Sequence, residues 1–126
     1  EELPFKSNYF DYYTISFGIR NVDNINRALK EAHRVLKPGG RLLCLEFSKV
    51  ESETLKKFYK IYSKSIPILG KVILGKSEPY EYLINSIEKF YNQKDFLKII
   101  NNNNFVNTSF SNLSGGIVAI HSGWKI

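Results

Sequence analysis

Residues 34–48 read Arg34-Val35-Leu36-Lys37-Pro38-Gly39-Gly40-Arg41-Leu42-Leu43-Cys44-Leu45-Glu46-Phe47-Ser48, and this stretch decides the fold. A basic helix end runs into Lys37-Pro38-Gly39-Gly40. Glycine after a helix supplies a left-handed cap, and Pro38 cannot continue the helix. The apolar run Leu42-Leu43-Cys44-Leu45 shows no alternation, which predicts a parallel strand buried on both faces. The pattern is helix, tight turn, central strand. The glycine pair is not a phosphate loop, because such a loop follows a strand and opens a helix, whereas this pair precedes one.

Upstream, residues 10–18 are rich in aromatic and β-branched side chains and predict a strand that Gly18 ends. Asp23 is the expected N-cap of the helix that follows. Behind it Ile25, Ala28, Leu29, Ala32, Val35 and Leu36 fall at helical spacing, with Lys30, Glu31, His33 and Arg34 on the solvated side. Strand, helix, strand is a parallel crossover. Open α/β sheets bind ligands beyond the carboxyl ends of their strands. That edge carries Ser16 to Asn21 from one strand and Glu46 to Ser48 from the next, so the candidate site starts there.

Residues 51–90 interrupt this rhythm. Leu55, Phe58, Tyr59, Tyr62 and Ile66 share a helical face, Pro67 is expected to break it, and Tyr80, Leu83, Ile84 and Ile87 define another helix. Two readings stand: a packed helical hairpin, or a lid lined with aromatics over the site. Residues 93–101 predict a short helix stopped by Asn102-Asn103-Asn104. An alternating strand follows over 105–113, then a turn at Ser114-Gly115-Gly116 and an antiparallel return over 117–120. His121, at the far end of that return, is expected at the edge opposite the site.

The chain has 126 residues, enough for one modest core. Its net charge of +6 is too mild and dispersed to indicate nucleic acid. With 43% hydrophobic and 14% aromatic residues it is not disordered. Its single cysteine, Cys44, reads as an inert core thiol. No metal-ligand cluster, membrane-spanning run or targeting segment is evident. The opening Glu1-Glu2-Leu3-Pro4-Phe5 and the lack of any methionine suggest a piece of a longer protein.

Two blocks carry a family resemblance. One is Thr14-Ile15-Ser16-Phe17-Gly18-Ile19-Arg20-Asn21-Val22. The other is Arg34 to Gly40 followed by Leu42, Leu45, Glu46 and Ser48. Together they resemble the C-methyltransferases of ubiquinone and menaquinone biosynthesis. Tyr80, Tyr82-Leu83, Ser86-Ile87, Gly116 to Ala119 and Ser122-Gly123 agree. The ending from Ile117 to Ile126 is closer to the mitochondrial ubiquinone branch.

The resemblance implies an α/β fold of the class I, Rossmann-like methyltransferase type. The family sheet has strand order 3-2-1-4-5-7-6 with the seventh strand antiparallel. Residues 1–126 would supply strands four to seven, with a helical lid insertion over 49–90. The amino-terminal half, with most of the cofactor site, would lie upstream of Glu1, so this chain alone would not be competent. The implied activity is C-methylation of a polyprenyl benzoquinol in ubiquinone biosynthesis, with S-adenosylmethionine as cofactor. Ser16 matches a cofactor-contact position, and Arg20 and Asn21 match the catalytic loop facing the quinol ring. Glu46, Ser48, Tyr59, Tyr62 and Tyr80 are weaker substrate-binding candidates. For Arg20 the structural alternative is a carboxylate ion pair, for Asn21 a turn cap, and for the tyrosines core packing. Implied partners are the quinol, a quinone-biosynthesis complex, a second copy of the chain through a bare strand edge, and a membrane surface. The implied place is the matrix face of the inner mitochondrial membrane in a eukaryote, or the cytoplasm or membrane periphery in a bacterium. The alternative from another class is a non-catalytic interaction module of a quinone-biosynthesis complex.

Overall fold

The computed structural model describes residues 2–50, 53–75 and 78–126. Four strands form one sheet: β1 (Phe10–Ser16), β2 (Leu36–Phe47), β3 (Val106–Leu113) and β4 (Val118–Trp124). Their spatial order is β1-β2-β4-β3. β1 and β2 are parallel, while β4 runs antiparallel to both β2 and β3. This is the order expected for strands four, five, seven and six, including the reversed last strand. The helices are α1 (Ile25–Val35), α2 (Glu53–Leu74), α3 (Glu78–Lys89) and α4 (Gln93–Asn102).

The core lies on one face of the sheet. Leu29 and Ala32 of α1 and Phe96 and Ile100 of α4 pack with Leu42, Cys44 and Phe105. β2 alternates: Leu42, Cys44 and Glu46 are buried, whereas Leu43, Leu45 and Phe47 are half-buried. The expectation of a strand buried on both faces is thus corrected. Both core helices sit on the Leu42 face, and the apolar run hides the alternation because both of its faces carry apolar residues.

The glycine turn also differs from expectation. α1 stops at Val35, and Leu36 is already extended at φ −75°, ψ 140°. The position before a proline is steered away from helical geometry, so Lys37 cannot carry the helix to Pro38. Gly39 and Gly40 therefore lie in a bulge of β2 and not at a helix cap. Phe10 pairs with Leu36 but Tyr12 with Arg41, so the segment from Lys37 to Gly40 loops out of register. Gly39 has φ +86°, and its N–H donates to the Lys125 carbonyl at 2.6 Å, while Lys125 N–H donates to Gly40 O at 2.9 Å. A Cβ on Gly40 would meet Lys37 O at 2.8 Å and Asp11 O at 3.2 Å. The glycines let the chain turn under the end of β4.

Three smaller corrections follow. Asn24, not Asp23, caps α1: its Oδ1 accepts from Arg27 N–H at 3.0 Å. Pro67 lies inside α2, which runs on to Leu74. His33 is half-buried, with its ring edge-on to Phe105 at 5.2 Å.

Cys44 is fully buried, and burial pushes its thiol up to about 12, with Glu46 adding to the shift. The thiolate is the reactive form. The folded chain should resist iodoacetamide at neutral pH and take up one equivalent only on unfolding. Rapid alkylation of the native state would contradict this.

His121 does not sit at the far edge of the sheet. β4 continues to Trp124, which puts His121 in mid-strand opposite Cys44 and buried. Its Nε2–H donates to the Gln93 carbonyl at 2.9 Å, and Nδ1 has no partner among the described residues. Burial lowers its pKa, and the Gln93 bond only partly opposes this. Burial likewise lowers that of His33, followed by the nearby Lys125 charge. Unfolded histidine binds protons that the folded one refuses, so this stability contribution is intact above the unfolded pKa of about 6.5 and is lost as pH falls from there towards the depressed folded value. Urea midpoints should therefore drop as pH is lowered through that window. A flat profile would show that neither ring stays neutral on folding.

Candidate active site

The site forms where β1 and β2 end side by side. β1 stops at Ser16, and Phe17 turns the chain with φ +55°, a left-handed conformation that is uncommon for a bulky residue. Phe17 N–H donates to Leu45 O at 2.8 Å, which holds the turn against β2. Its ring packs on Phe47, with centroids 4.8 Å apart. After Gly18 a single tight turn of helix, Ile19–Asn21, points Ile19 into the core and Arg20 towards β2.

Arg20 is the hub. Its Nη1 donates to Glu46 Oε1 at 2.8 Å and to Phe17 O at 2.7 Å, and its Nε donates to Ser86 Oγ at 3.3 Å. The guanidinium also lies over the Phe47 ring at 5.3 Å. The Arg20 and Glu46 side chains are 8% and 2% exposed. Glu46 accepts in addition from the backbone N–H of Phe47 at 2.9 Å and of Arg20 at 3.3 Å. Buried charges persist when paired and hydrogen-bonded in this way. The ion pair named as the structural alternative for Arg20 is thus present, and its partner is another of the sequence candidates.

α3 closes over this corner. Ser86 receives Arg20 Nε and donates to Leu83 O at 2.8 Å, and Tyr82 Oη donates to Asn21 Oδ1 at 3.2 Å. A cavity of about 470 Å³ lies between, lined by Arg20, Asn21, Ile25, Tyr82, Asn85 and Ser86, with Lys89, Phe90 and Tyr91 at its side. That size suits a small-molecule site, and polar groups converge on it from two elements.

The structure does not gather all the sequence candidates here. Arg20 and Asn21 line the cavity, while Glu46 lies behind Arg20. Ser16 is exposed at the end of β1. Ser48 is buried and lines a different cavity. Tyr62 is 63% exposed, which removes it from a pocket wall in this structure. Tyr80 is half-buried and does not line the Arg20 cavity. The Tyr59 side chain lies outside the described residues. Sequence reasoning missed Tyr82, Asn85 and Ser86 as site residues, although the signal was available. With Lys89 they follow i, i+3, i+4, i+7 spacing, a polar stripe on one face of α3.

A family model described as the ubiE/COQ5 methyltransferase family matches residues 1–125. The chain belongs to this family. It is 61% identical to the ubiquinone/menaquinone biosynthesis C-methyltransferase UbiE of Rickettsia akari, a match that covers 100% of this chain and 51% of that protein. It is 58% identical to the UbiE of Rhizobium meliloti, over 100% of this chain and 49% of that protein. The chain therefore spans about half the length of the curated relatives it matches. Among solved structures it resembles a SAM-dependent methyltransferase of Thermotoga maritima, with TM-score 0.68 and 24% identity over 99% of this chain and 60% of that one. A Haemonchus contortus phosphoethanolamine N-methyltransferase with bound S-adenosylhomocysteine gives TM-score 0.60 at 12% identity, over 96% of this chain and 34% of that one. These two likenesses establish the class I methyltransferase fold. Among the described residues no helix is long and apolar enough to cross a membrane, and no group of side chains is arranged to hold a metal.

Of the residues at this edge, the resemblance assigns only Ser16 to S-adenosylmethionine. Ser16 offers an exposed hydroxyl at the strand terminus next to the turn at Phe17. The carboxylate at this edge, Glu46, is occupied by Arg20 and is not open to a ribose.

Proposed function

We propose that this chain serves the C-methylation of a polyprenyl benzoquinol in ubiquinone biosynthesis, acting with the further half that its relatives possess. The observation that carries the reading is the cavity walled by Arg20 and Asn21 at the carboxyl end of β1, at positions matching the family's quinol-facing loop. S-adenosylmethionine, held in part by Ser16, supplies an electrophilic methyl group. The protein's task is to make a ring carbon nucleophilic, which requires a phenolic proton to leave. Arginine stays protonated and is a poor base. Arg20, fixed by Glu46 and Ser86, stabilises the developing phenolate, and the proton passes to a water. Asn21, itself accepting from Tyr82, orients the ring oxygen or that water. α2 and α3 act as the lid.

A direct test replaces the matching half of the Rickettsia akari relative with this chain and follows labelled methyl transfer to a polyprenyl benzoquinol. Transfer is expected. A chimera that folds and binds S-adenosylmethionine but methylates no quinol would overturn the reading and favour the interaction module.

The ending from Ile117 to Ile126 supports the ubiquinone branch. The polyprenyl substrate supports work at a membrane surface, on the matrix face of the inner mitochondrial membrane in a eukaryote or the cytoplasmic face in a bacterium. Lys56, Lys57 and Lys60, exposed on α2, would meet anionic lipid there. The outer edge of β1, which pairs only with β2 among the described strands, would accept a second copy or another component of a quinone-biosynthesis complex.

A further inference from the structure

Where β2 leaves the sheet, a second cavity of about 490 Å³ opens between that exit, α2 and α3. Among the described residues its walls carry Lys49, Lys56, Lys60 and Lys64, against a single carboxylate, Glu88. Lys56, Lys60 and Lys64 recur every fourth residue, so they form one stripe along α2. None of the three has an ion-pair partner among the described residues. Lys49 is held from behind, its Nζ donating to the carbonyls of Ile87 at 3.1 Å and Glu88 at 2.6 Å near the end of α3.

Ser63 provides the second, independent observation. It lines the same cavity and is 4% exposed, and its Oγ has no hydrogen-bond partner among the described residues. Ser65, two residues on, donates back to the Tyr62 carbonyl at 2.7 Å, the usual resort of a helical serine. A buried hydroxyl without a partner is costly and calls for an acceptor. Lysines can only donate and a serine hydroxyl can donate, so this lining suits an anion with several oxygens. A carboxylate presents two oxygens in one plane. A phosphate presents three or four, enough to reach Ser63, the α2 stripe and Lys49 from different directions.

We propose that this cavity binds a phosphate group, either a soluble phosphoester or the phosphomonoester headgroup of a lipid. Ser63 turns its hydroxyl into the cavity to donate to one oxygen, and Lys60 and Lys64 neutralise the charge. The site is separate from the Arg20 cavity and does not depend on the methyl-transfer reading.

The test titrates the full chain with inorganic phosphate and glycerol 3-phosphate by calorimetry. In parallel, the chain is co-sedimented with phosphatidylcholine vesicles with and without phosphatidic acid. Saturable binding near one equivalent is expected in at least one arm. Binding in the first arm alone identifies a soluble ester, and in the second alone a lipid headgroup. Ser63→Ala and Lys60→Gln, each checked for an unchanged melting curve, should weaken it about tenfold. Lys60 is exposed, so its variant keeps the test open if Ser63→Ala disturbs the helix. No binding in either arm would overturn the proposal. So would binding that falls with salt yet ignores both substitutions, because that marks a diffuse basic surface.

Discussion

Arg20→Ala should destabilise the chain by about 3 kcal/mol, at the lower end of the range for breaking a buried ion pair. The reason is what it leaves behind. Glu46 is 2% exposed and would be left in the interior without the guanidinium that pairs with it. The loss stays at the lower end because Glu46 retains two backbone donors, Phe47 N–H and the N–H of residue 20. The same substitution unhooks Ser86 and so loosens α3 over the cavity. Urea denaturation gives the magnitude, and a loss below about 1 kcal/mol would mean that the pair behaves like a surface bridge. Glu46→Gln in the Arg20→Ala background removes the orphaned charge and should restore part of the stability. That double variant separates the two roles of Arg20. If it recovers stability in the Rickettsia akari chimera but still transfers no methyl group, the arginine acts on the quinol. If transfer returns with stability, Arg20 is only a strut.

Phe96→Ala should cost about 3–5 kcal/mol, a large share of the 5–15 kcal/mol typical of a whole domain. Phe96 is fully buried and joins α4 to the sheet, with its ring 5.1 Å from Phe90 and 4.8 Å from His121. Phe90 directly follows α3 and lines the Arg20 cavity, so this contact ties the end of α3 to the core. Removing the ring leaves a void, which water can enter, beside His121 Nδ1, which has no partner among the described residues. The His121 ring then gains solvent, and the acid-side loss of stability should become shallower. A urea midpoint close to that of the parent chain would show that α4 is not anchored through Phe96.

The sequence by itself determined the sheet topology, the placement of α1, α3 and α4 and the residues at the carboxyl edge, but not the course of α2 through Pro67. Those signals are local. Leu29, Ala32 and Val35 recur at helical spacing and β-branched runs mark strands, while the family resemblance of the two blocks implies the strand order and reversed last strand that the pairing shows. Tertiary structure alone decided how the edge residues are used. Arg20 and Glu46 are 26 positions apart, and nothing in their spacing announces a buried pair. Only the parallel register, with Ser16 opposite Leu45, brings the turn after β1 onto the end of β2. The Gly39-Gly40 turn depends on a distant partner in the same way. Pairing with Lys125 at the far end of the chain, not the helix beside it, sets its geometry. Tyr62 shows the reverse case: its spacing is that of a packed face, yet it is exposed, because a helical period says which residues share a side and not what lies opposite.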